Sequence, residues 1–178
     1  NFFNVNSPRG IVLSTPGTGF QVSASTSDAS GQLLNFGNID PSYSTTFTVF
    51  TPQRLFTPLG SNIYDVTFYI PGTTTPAAVN GFGTVFTDVD QASTTSLRFF
   101  DRNNAIIGTY YAPVASSGLS FVGAFTNDGL AAIARVRVTL GNAMLAPGVI
   151  DNNTSADLVV ADDFIYGEPT DRIFGDGF

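Results

Sequence analysis

The amino-acid sequence predicts an all-β protein, an antiparallel β-sandwich. Roughly ten short segments alternate apolar and polar residues, which is the period of a strand with one buried face. Gly, Pro, Asn and Ser residues separate these segments, and none of them has a convincing helical period. The 17 phenylalanines would supply most of the core between two sheets.

Two clear strands are predicted in the first half of the chain. GFQVSAS at 19–25 and IYDVTFYI at 63–70 alternate cleanly, and Pro71–Gly72 ends the second segment. Residues 33–60 contain short apolar runs broken by prolines, which favours short strands or an irregular loop.

The second half is predicted to contain further short strands joined by turns. Gly81 and Gly83 flank Phe82 in one of them, a spacing typical of a strand that bends or that other backbone approaches closely. Residues 102–104 are turn residues between two apolar runs and predict a hairpin. Alanines at 131–140 suggest a helix, but apolar residues alternate with Arg135 and Arg137 there, so we predict a strand. The remaining strands are predicted at 119–125 and 157–168.

Composition excludes several classes of function. Every basic residue is an arginine and the net charge is −7, so the phosphates of nucleic acid would repel this protein. The chain has no cysteine and no histidine, which removes thiol chemistry and the commonest general base and zinc ligand. No apolar run approaches the length of a membrane span. We expect one domain over 1–178, with apolar terminal segments at 1–6 and 170–178.

The composition also favours export from a bacterial cell. The chain begins at Asn1 rather than Met, which suggests a removed secretory signal peptide or an artificial boundary. A chain rich in Thr, Ser and Asn, with neither lysine nor cysteine, fits the bacterial surface better than the cytoplasm. We expect an extracellular or cell-surface location.

The stretch Asp157 to Glu168 carries adjacent carboxylates, Asp162 and Asp163, in an apolar run. Neighbouring side chains of a strand point to opposite faces, so one of the two should share the apolar face. A buried carboxylate needs backbone N–H groups, an arginine or a hard cation such as calcium. The alternative is that one Asp faces solvent and the other caps a loop.

A second acidic pair is Asp88 and Asp90 in FTDVD. Their spacing places both carboxylates on one strand face, which suits two oxygens on one cation and equally suits a solvated strand end. A glycosidase also needs two carboxylates, but any chain with several scattered acidic residues meets that requirement by chance. Because the chain has no histidine, no serine-nucleophile motif and a single glutamate, we expect no enzymatic activity.

Five segments carry a resemblance to a known family. GFGTVFTDVD (81–90), SLRFFDRNN (96–104), GLSFVGAF (118–125), IARVRVTLGN (133–142) and VVADDFIYGEP (159–169) resemble a jelly-roll-like β-sandwich module of exported bacterial proteins, some of which carry a PEP-CTERM-type sorting signal. The resemblance implies a jelly-roll-like sandwich and export. The signal's transmembrane helix and basic tail are missing, so membrane-linked sorting is not implied. The final DRIFGDGF is similar to a short acidic-aromatic tail of some secreted proteobacterial proteins.

Jelly-roll carbohydrate-binding modules are similar in having an Asp-Asp pair in the final strand, where many hold a structural calcium. That resemblance implies calcium ligands at Asp162 and Asp163, with Asp88 and Asp90 as further oxygens. It also implies polysaccharide as an alternative partner. Five tyrosines could stack on sugar rings, namely Tyr43, Tyr64, Tyr69, Tyr110 and Tyr111, although the missing tryptophan weakens this interpretation.

Other copies of the chain are the partner that the sequence favours. Lysines usually block sheet edges from pairing, and this chain has none. Apolar terminal segments with Phe2, Phe3 and Phe174 can add to a neighbouring sheet as strands. We therefore predict a non-catalytic structural or adhesive module that forms oligomers or filaments, with a calcium-containing carbohydrate-binding module as the alternative.

Overall fold

The computed structural model describes residues 9–24, 34–51 and 54–171. These residues form ten strands and one helical turn. The elements are β1 (Ile11–Ser14), β2 (Gly19–Val22), α1 (Tyr43–Thr46), β3 (Phe56–Leu59), β4 (Ile63–Phe68), β5 (Gly81–Val89), β6 (Ser96–Phe100), β7 (Ile106–Tyr111), β8 (Ala115–Phe125), β9 (Arg135–Thr139) and β10 (Val160–Tyr166). No helix in this part of the chain is long and apolar enough to span a bilayer.

The strands form two antiparallel five-stranded sheets. The first sheet has the order β1, β4, β9, β6, β7, and the second has the order β2, β3, β10, β5, β8. Strand β3 pairs with β10, β4 with β9, β5 with β8 and β6 with β7, as in one long hairpin. That hairpin is rolled so that β5 also meets β10 and β6 meets β9. This is the jelly-roll arrangement, and it confirms the predicted antiparallel β-sandwich.

The main core lies between the sheets and follows the alternation seen in the sequence. Strand β4 buries Tyr64, Val66 and Phe68, and β9 buries Val136 and Val138. The predicted strand character of 131–140 is confirmed from Arg135 onward. Apolar residues that alternate along these strands therefore define the inner faces.

A second, smaller core covers part of the outer face of the second sheet. Phe36, Tyr43, Phe47 and Leu55 pack there with residues of the β9–β10 connection and of β10. The segment 33–60 was predicted to be short strands or an irregular loop, and it contains strand β3 together with the turn α1. Its aromatic residues cover this part of the sheet. The contact joins residues far apart in the sequence, so the local alternation of apolar and polar residues does not predict it.

Glycines in β5 and β8 lie on the other part of the outer face of the second sheet, where they leave little side-chain cover. A Cβ atom on Gly83 would lie 2.6 Å from the Phe121 ring, and one on Gly123 would lie 3.0 Å from the Gly83 backbone. The glycine spacing predicts a bend or a close approach of other backbone; at Gly83 the nearest group is the Phe121 ring, and the Cα atom of Gly123 follows at 3.1 Å.

Candidate functional site

An acidic cluster lies where β5 ends and β10 begins. Carboxylate oxygens of Asp88, Asp90 and Asp151 all lie within 4.8 Å of one another. Asp88 belongs to an irregular part of β5 and has a φ of 68°, a left-handed conformation that turns its carboxylate towards the backbone N–H of Ser117 (2.6 Å). Asp151 comes from the β9–β10 connection, where the backbone N–H of Leu158 donates to it (3.1 Å).

Asp157 supports the cluster from the side. It is fully buried, and its carboxylate accepts hydrogen bonds from the backbone N–H of Asp90 (2.9 Å) and from the Thr94 hydroxyl. Its own N–H donates to Asn142. These bonds fix the position of Asp90 relative to the start of β10.

The electrostatics of the cluster are unfavourable for three charged carboxylates. Burial, together with the carboxylates of Asp90 and Asp88, raises the pKa of Asp151 to about 7. Burial is also the main cause that raises the pKa of Asp88. One oxygen of Asp90, Oδ1, is buried without a hydrogen-bond partner among the described residues. At neutral pH this group of oxygens therefore needs a proton or a cation.

The predicted ligands Asp162 and Asp163 do not join this group. They lie in a bulge of β10, between Ala161 and Phe164, where the ladder to β5 shifts register. Asp162 accepts from the backbone N–H groups of Phe50 (2.7 Å) and Thr51 (3.3 Å). Burial raises its pKa, and these two bonds lower it. Backbone N–H groups are thus the partners found for the buried carboxylate of Asp162.

Asp163 is half-buried and accepts from the hydroxyl of Thr51, the residue whose backbone N–H also donates to Asp162. The two carboxylates of the bulge therefore tie the segment after α1 to β10. One oxygen of Asp162, Oδ1, is buried without a partner among the described residues. Calcium at Asp162 and Asp163 stays a prediction.

An apolar edge runs along one side of the sandwich. We use this name for the exposed apolar side chains of β7, β8 and the link between them: Ile106, Ile107, Tyr110, Val114, Phe121 and Phe125. Ile106 is 61% exposed and Phe125 is 78% exposed. From Ala105 to Asn127 the chain has no charged side chain. Large exposed apolar surfaces of this kind mark interaction sites.

A groove of about 400 Å³ opens within this edge, lined by residues that include Phe99, Ile107, Tyr110, Phe125 and Ile133. Tyr110 stands edge-on to Phe99, with ring centroids 5.7 Å apart. In the described sheets β7 pairs with β6 alone and β8 pairs with β5 alone. Among the described residues, no strand pairs with the other edge of β7 or of β8.

The predicted contact residues fall in different places. Tyr110 lines the groove, whereas Tyr111 pairs with Ser96 on the outer face of the first sheet and is 52% exposed. Phe2, Phe3 and Phe174 lie outside the described residues.

Sequence reasoning identified Asp88 and Asp90 but missed Asp151 and Asp157. Asp88 lies at the end of β5 and Asp90 just after it, so their spacing relates them, whereas Asp151 lies in the β9–β10 connection, far away in the sequence. The sequence gives only weak indications of these two residues: Asp151 is the first residue of a polar loop, and Asp157 is the first residue of the apolar stretch that contains β10.

Comparison with known proteins gives little. No protein-family model and no curated protein matches the chain. Among solved structures, the enzymatically active domain of tailspike protein 4 from bacteriophage CBA120 is similar at 13% identity with a TM-score of 0.40. The match covers 93% of this chain and 20% of the tailspike chain. A similarity of this size carries no argument about function.

Proposed function

We propose that this chain is a non-catalytic extracellular contact module that associates with copies of itself through the apolar edge. The observation that carries the proposal is the combination of free strand edges and exposed apolar side chains in one uncharged stretch, 105–127. The extracellular location follows from the composition and from the resemblance to exported modules.

Edge strands of monomeric proteins are normally guarded. Lysines, prolines, bulges or a covering loop prevent another strand from pairing with them. The chain has no lysine, and the proline of this region, Pro113, lies between β7 and β8 rather than within either strand. Strand β8 has eleven residues, which is long for an edge strand.

Pairing of two such edges would combine two sources of affinity. Backbone N–H and C=O groups of the edge strand would form ladder hydrogen bonds, and Ile106, Tyr110 and Phe125 would be removed from water. A pairing that uses the same edge on both copies closes as a dimer, whereas β7 against β8 of the next copy propagates into a filament.

The sharpest test places a lysine on the edge. Phe125→Lys and Ile106→Lys should each shift the protein to monomer at concentrations where the wild-type chain is oligomeric, because a buried unpaired ammonium opposes the contact. Ile150→Lys is the matched control, since Ile150 is 52% exposed but lies in the β9–β10 connection. Sedimentation velocity measures the oligomeric state of each protein. The concentrations should cover a roughly hundredfold range around a micromolar Kd. A monomeric wild-type chain, or Ile150→Lys dissociating as fully as the edge variants, contradicts the proposal.

The geometry of the acidic cluster supports a non-catalytic role. A glycosidase needs its two carboxyl groups on either side of the scissile bond, with the sugar between them. Here carboxylate oxygens of Asp88, Asp90 and Asp151 lie within 4.8 Å of one another, Asp88 is 4% exposed and Asp157 is fully buried. Asp88 and Asp157 are thus removed from solvent, which favours a structural role for the cluster over a catalytic one.

A structural calcium at this cluster is the second candidate, and the buried unpaired oxygen of Asp90 favours it. Asp88, Asp90 and Asp151 offer hard oxygen ligands, and calcium would offset their mutual repulsion. The residues would then fasten the end of β5 to the β9–β10 connection.

Chelation and substitution together test the calcium. Excess chelator should lower the melting temperature of the wild-type protein, and Asp90→Asn should melt at the chelated value with or without chelator. Asp163→Asn is the control and should keep its response to chelator. A wild-type melting curve that chelator leaves unchanged refutes the calcium, and loss of the response in Asp163→Asn alone moves the site to the β10 bulge.

A further inference from the structure

An arginine row crosses the outer face of the first sheet, on strands away from the acidic cluster. Cross-strand pairing places Asp65 beside Arg137, Arg137 beside Arg98, and Arg98 beside Thr109. Paired side chains in an antiparallel sheet stand on the same face, with Cβ atoms about 5 Å apart. The four residues therefore form one continuous line over β4, β9, β6 and β7.

The row carries more positive charge than its one carboxylate balances. Asp65 holds Arg137 through two hydrogen bonds, from Nε (2.8 Å) and Nη2 (2.9 Å), and the bond to Asp65 raises the pKa of Arg137. The same carboxylate lies 3.3 Å from Nη1 of Arg135. Two guanidinium groups thus share one aspartate.

Arg98 has no ion pair among the described residues. Its Nε donates to the Thr109 hydroxyl (3.2 Å), a bond that holds the guanidinium above the sheet, and its side chain is exposed. Like charges placed directly opposite each other destabilise a sheet. The pair of Arg98 and Arg137 therefore costs stability unless an anion lies between or above the two guanidinium groups.

An aromatic ring and several hydroxyl groups flank the row. Tyr111, Ser96 and Thr139 form the adjacent line of paired residues on the same face. Two residues along a strand span about 7 Å, so the backbone positions of this line and of the arginine row are separated by about the size of one sugar unit. The neighbouring hydroxyls offer donors and acceptors to sugar hydroxyl groups.

We propose that this face binds an acidic polysaccharide, with the carboxylate of a uronic acid unit held by Arg98 and Arg137 and a sugar ring stacked on Tyr111. Arginine is suited to this role because its planar fork binds carboxylates through two parallel hydrogen bonds. Charge complementarity is the argument for the occupant: this acidic chain has seven arginines, and three of them, Arg98, Arg135 and Arg137, lie on neighbouring strands of this sheet.

The proposal goes beyond self-association, because it uses a sheet face rather than the apolar edge. Affinity electrophoresis with polygalacturonate in the gel, and neutral dextran as the matched polymer, measures it. The wild-type protein should be retarded by polygalacturonate but not by dextran. Added salt should weaken the retardation. Arg98→Gln should raise the dissociation constant about tenfold, the value of one charge-assisted hydrogen bond. Arg54→Gln is the control, since Arg54 is exposed and precedes β3 of the other sheet.

A thermal melt without polymer separates binding from folding. Because Arg98 stands opposite Arg137, Arg98→Gln should melt at the wild-type temperature or above it while losing affinity. Tyr111→Ala should weaken binding and leave the salt dependence unchanged.

Three outcomes overturn the proposal. The first is that polygalacturonate fails to retard the wild-type protein. The second is that Arg98→Gln and Arg54→Gln bind equally. The third is that polyglutamate retards the protein as strongly as polygalacturonate and Tyr111→Ala has no effect, because the face would then recognise an acidic peptide instead. None of these outcomes bears on oligomeric state, so the two proposals fail separately.

Discussion

Tyr64 and Tyr43 show how one residue type has opposite effects in the two cores. Tyr64 is fully buried among the rings of Phe20, Phe56 and Phe164, and its hydroxyl has no partner among the described residues. Tyr43 is equally buried, but its hydroxyl lies 2.6 Å from the carbonyl oxygen of Val149. A buried hydroxyl without a hydrogen-bond partner destabilises the folded protein, whereas a buried hydroxyl with a partner stabilises it.

Replacing each tyrosine by phenylalanine should therefore shift stability in opposite directions. Tyr64→Phe should raise the free energy of unfolding by about 1 kcal/mol because it removes an unsatisfied group, and Tyr43→Phe should lower it by about 1 kcal/mol. Urea unfolding followed by circular dichroism measures both. A loss of stability in Tyr64→Phe would show that its hydroxyl has a partner, such as a buried water.

The acidic cluster should make the metal-free protein sensitive to pH. The pKa of Asp151 is raised to about 7 in the folded state, above the ordinary value of 3.8. Stability from its protonation is thus fully present below about pH 4 and is lost as pH rises through about 7. With chelator present, the melting temperature should fall across this window more steeply in the wild-type protein than in Asp151→Asn. Parallel curves for the two proteins would contradict the prediction.

The strands show which elements a sequence can define by itself. The alternation in β4 and β9 is local, so the sequence identified both strands and their inward residues. The β6–β7 hairpin was equally accessible, because its turn residues and flanking apolar runs are adjacent, and Asp101 closes the turn by accepting from the N–H groups of Asn103 and Ala105.

Elements that depend on distant partners were missed. Phe36 and Phe47 are buried because a connection about a hundred residues away, around Leu145 and Leu158, packs against them. The bulge in β10 similarly breaks the alternation that would place Asp162 and Asp163 on opposite faces of a regular strand. Partners and bulges of this kind come from tertiary packing, which periodicity does not encode.

At the scale of the whole molecule, the jelly roll explains why the contact surfaces lie where they do. Rolling the long hairpin leaves its closed end, β6 and β7 followed by β8, at one side of both sheets. The edges of β7 and β8 are therefore neighbours, and Ile107, Tyr110 and Phe125 line the groove between them. The two other outer strands, β1 and β2, belong to the opposite side.

Hydrogen–deuterium exchange at two protein concentrations tests self-association through this edge most directly. Backbone amides of β7 and β8 that point away from β6 and β5 should exchange quickly in dilute protein and slowly in concentrated protein, because a neighbouring copy would hydrogen-bond to them. Amides of β1 and β2 serve as the internal reference and should exchange at the same rate in both samples. Exchange of the β7 and β8 amides that does not change with concentration, or protection that arises at β1 and β2 instead, would contradict the account.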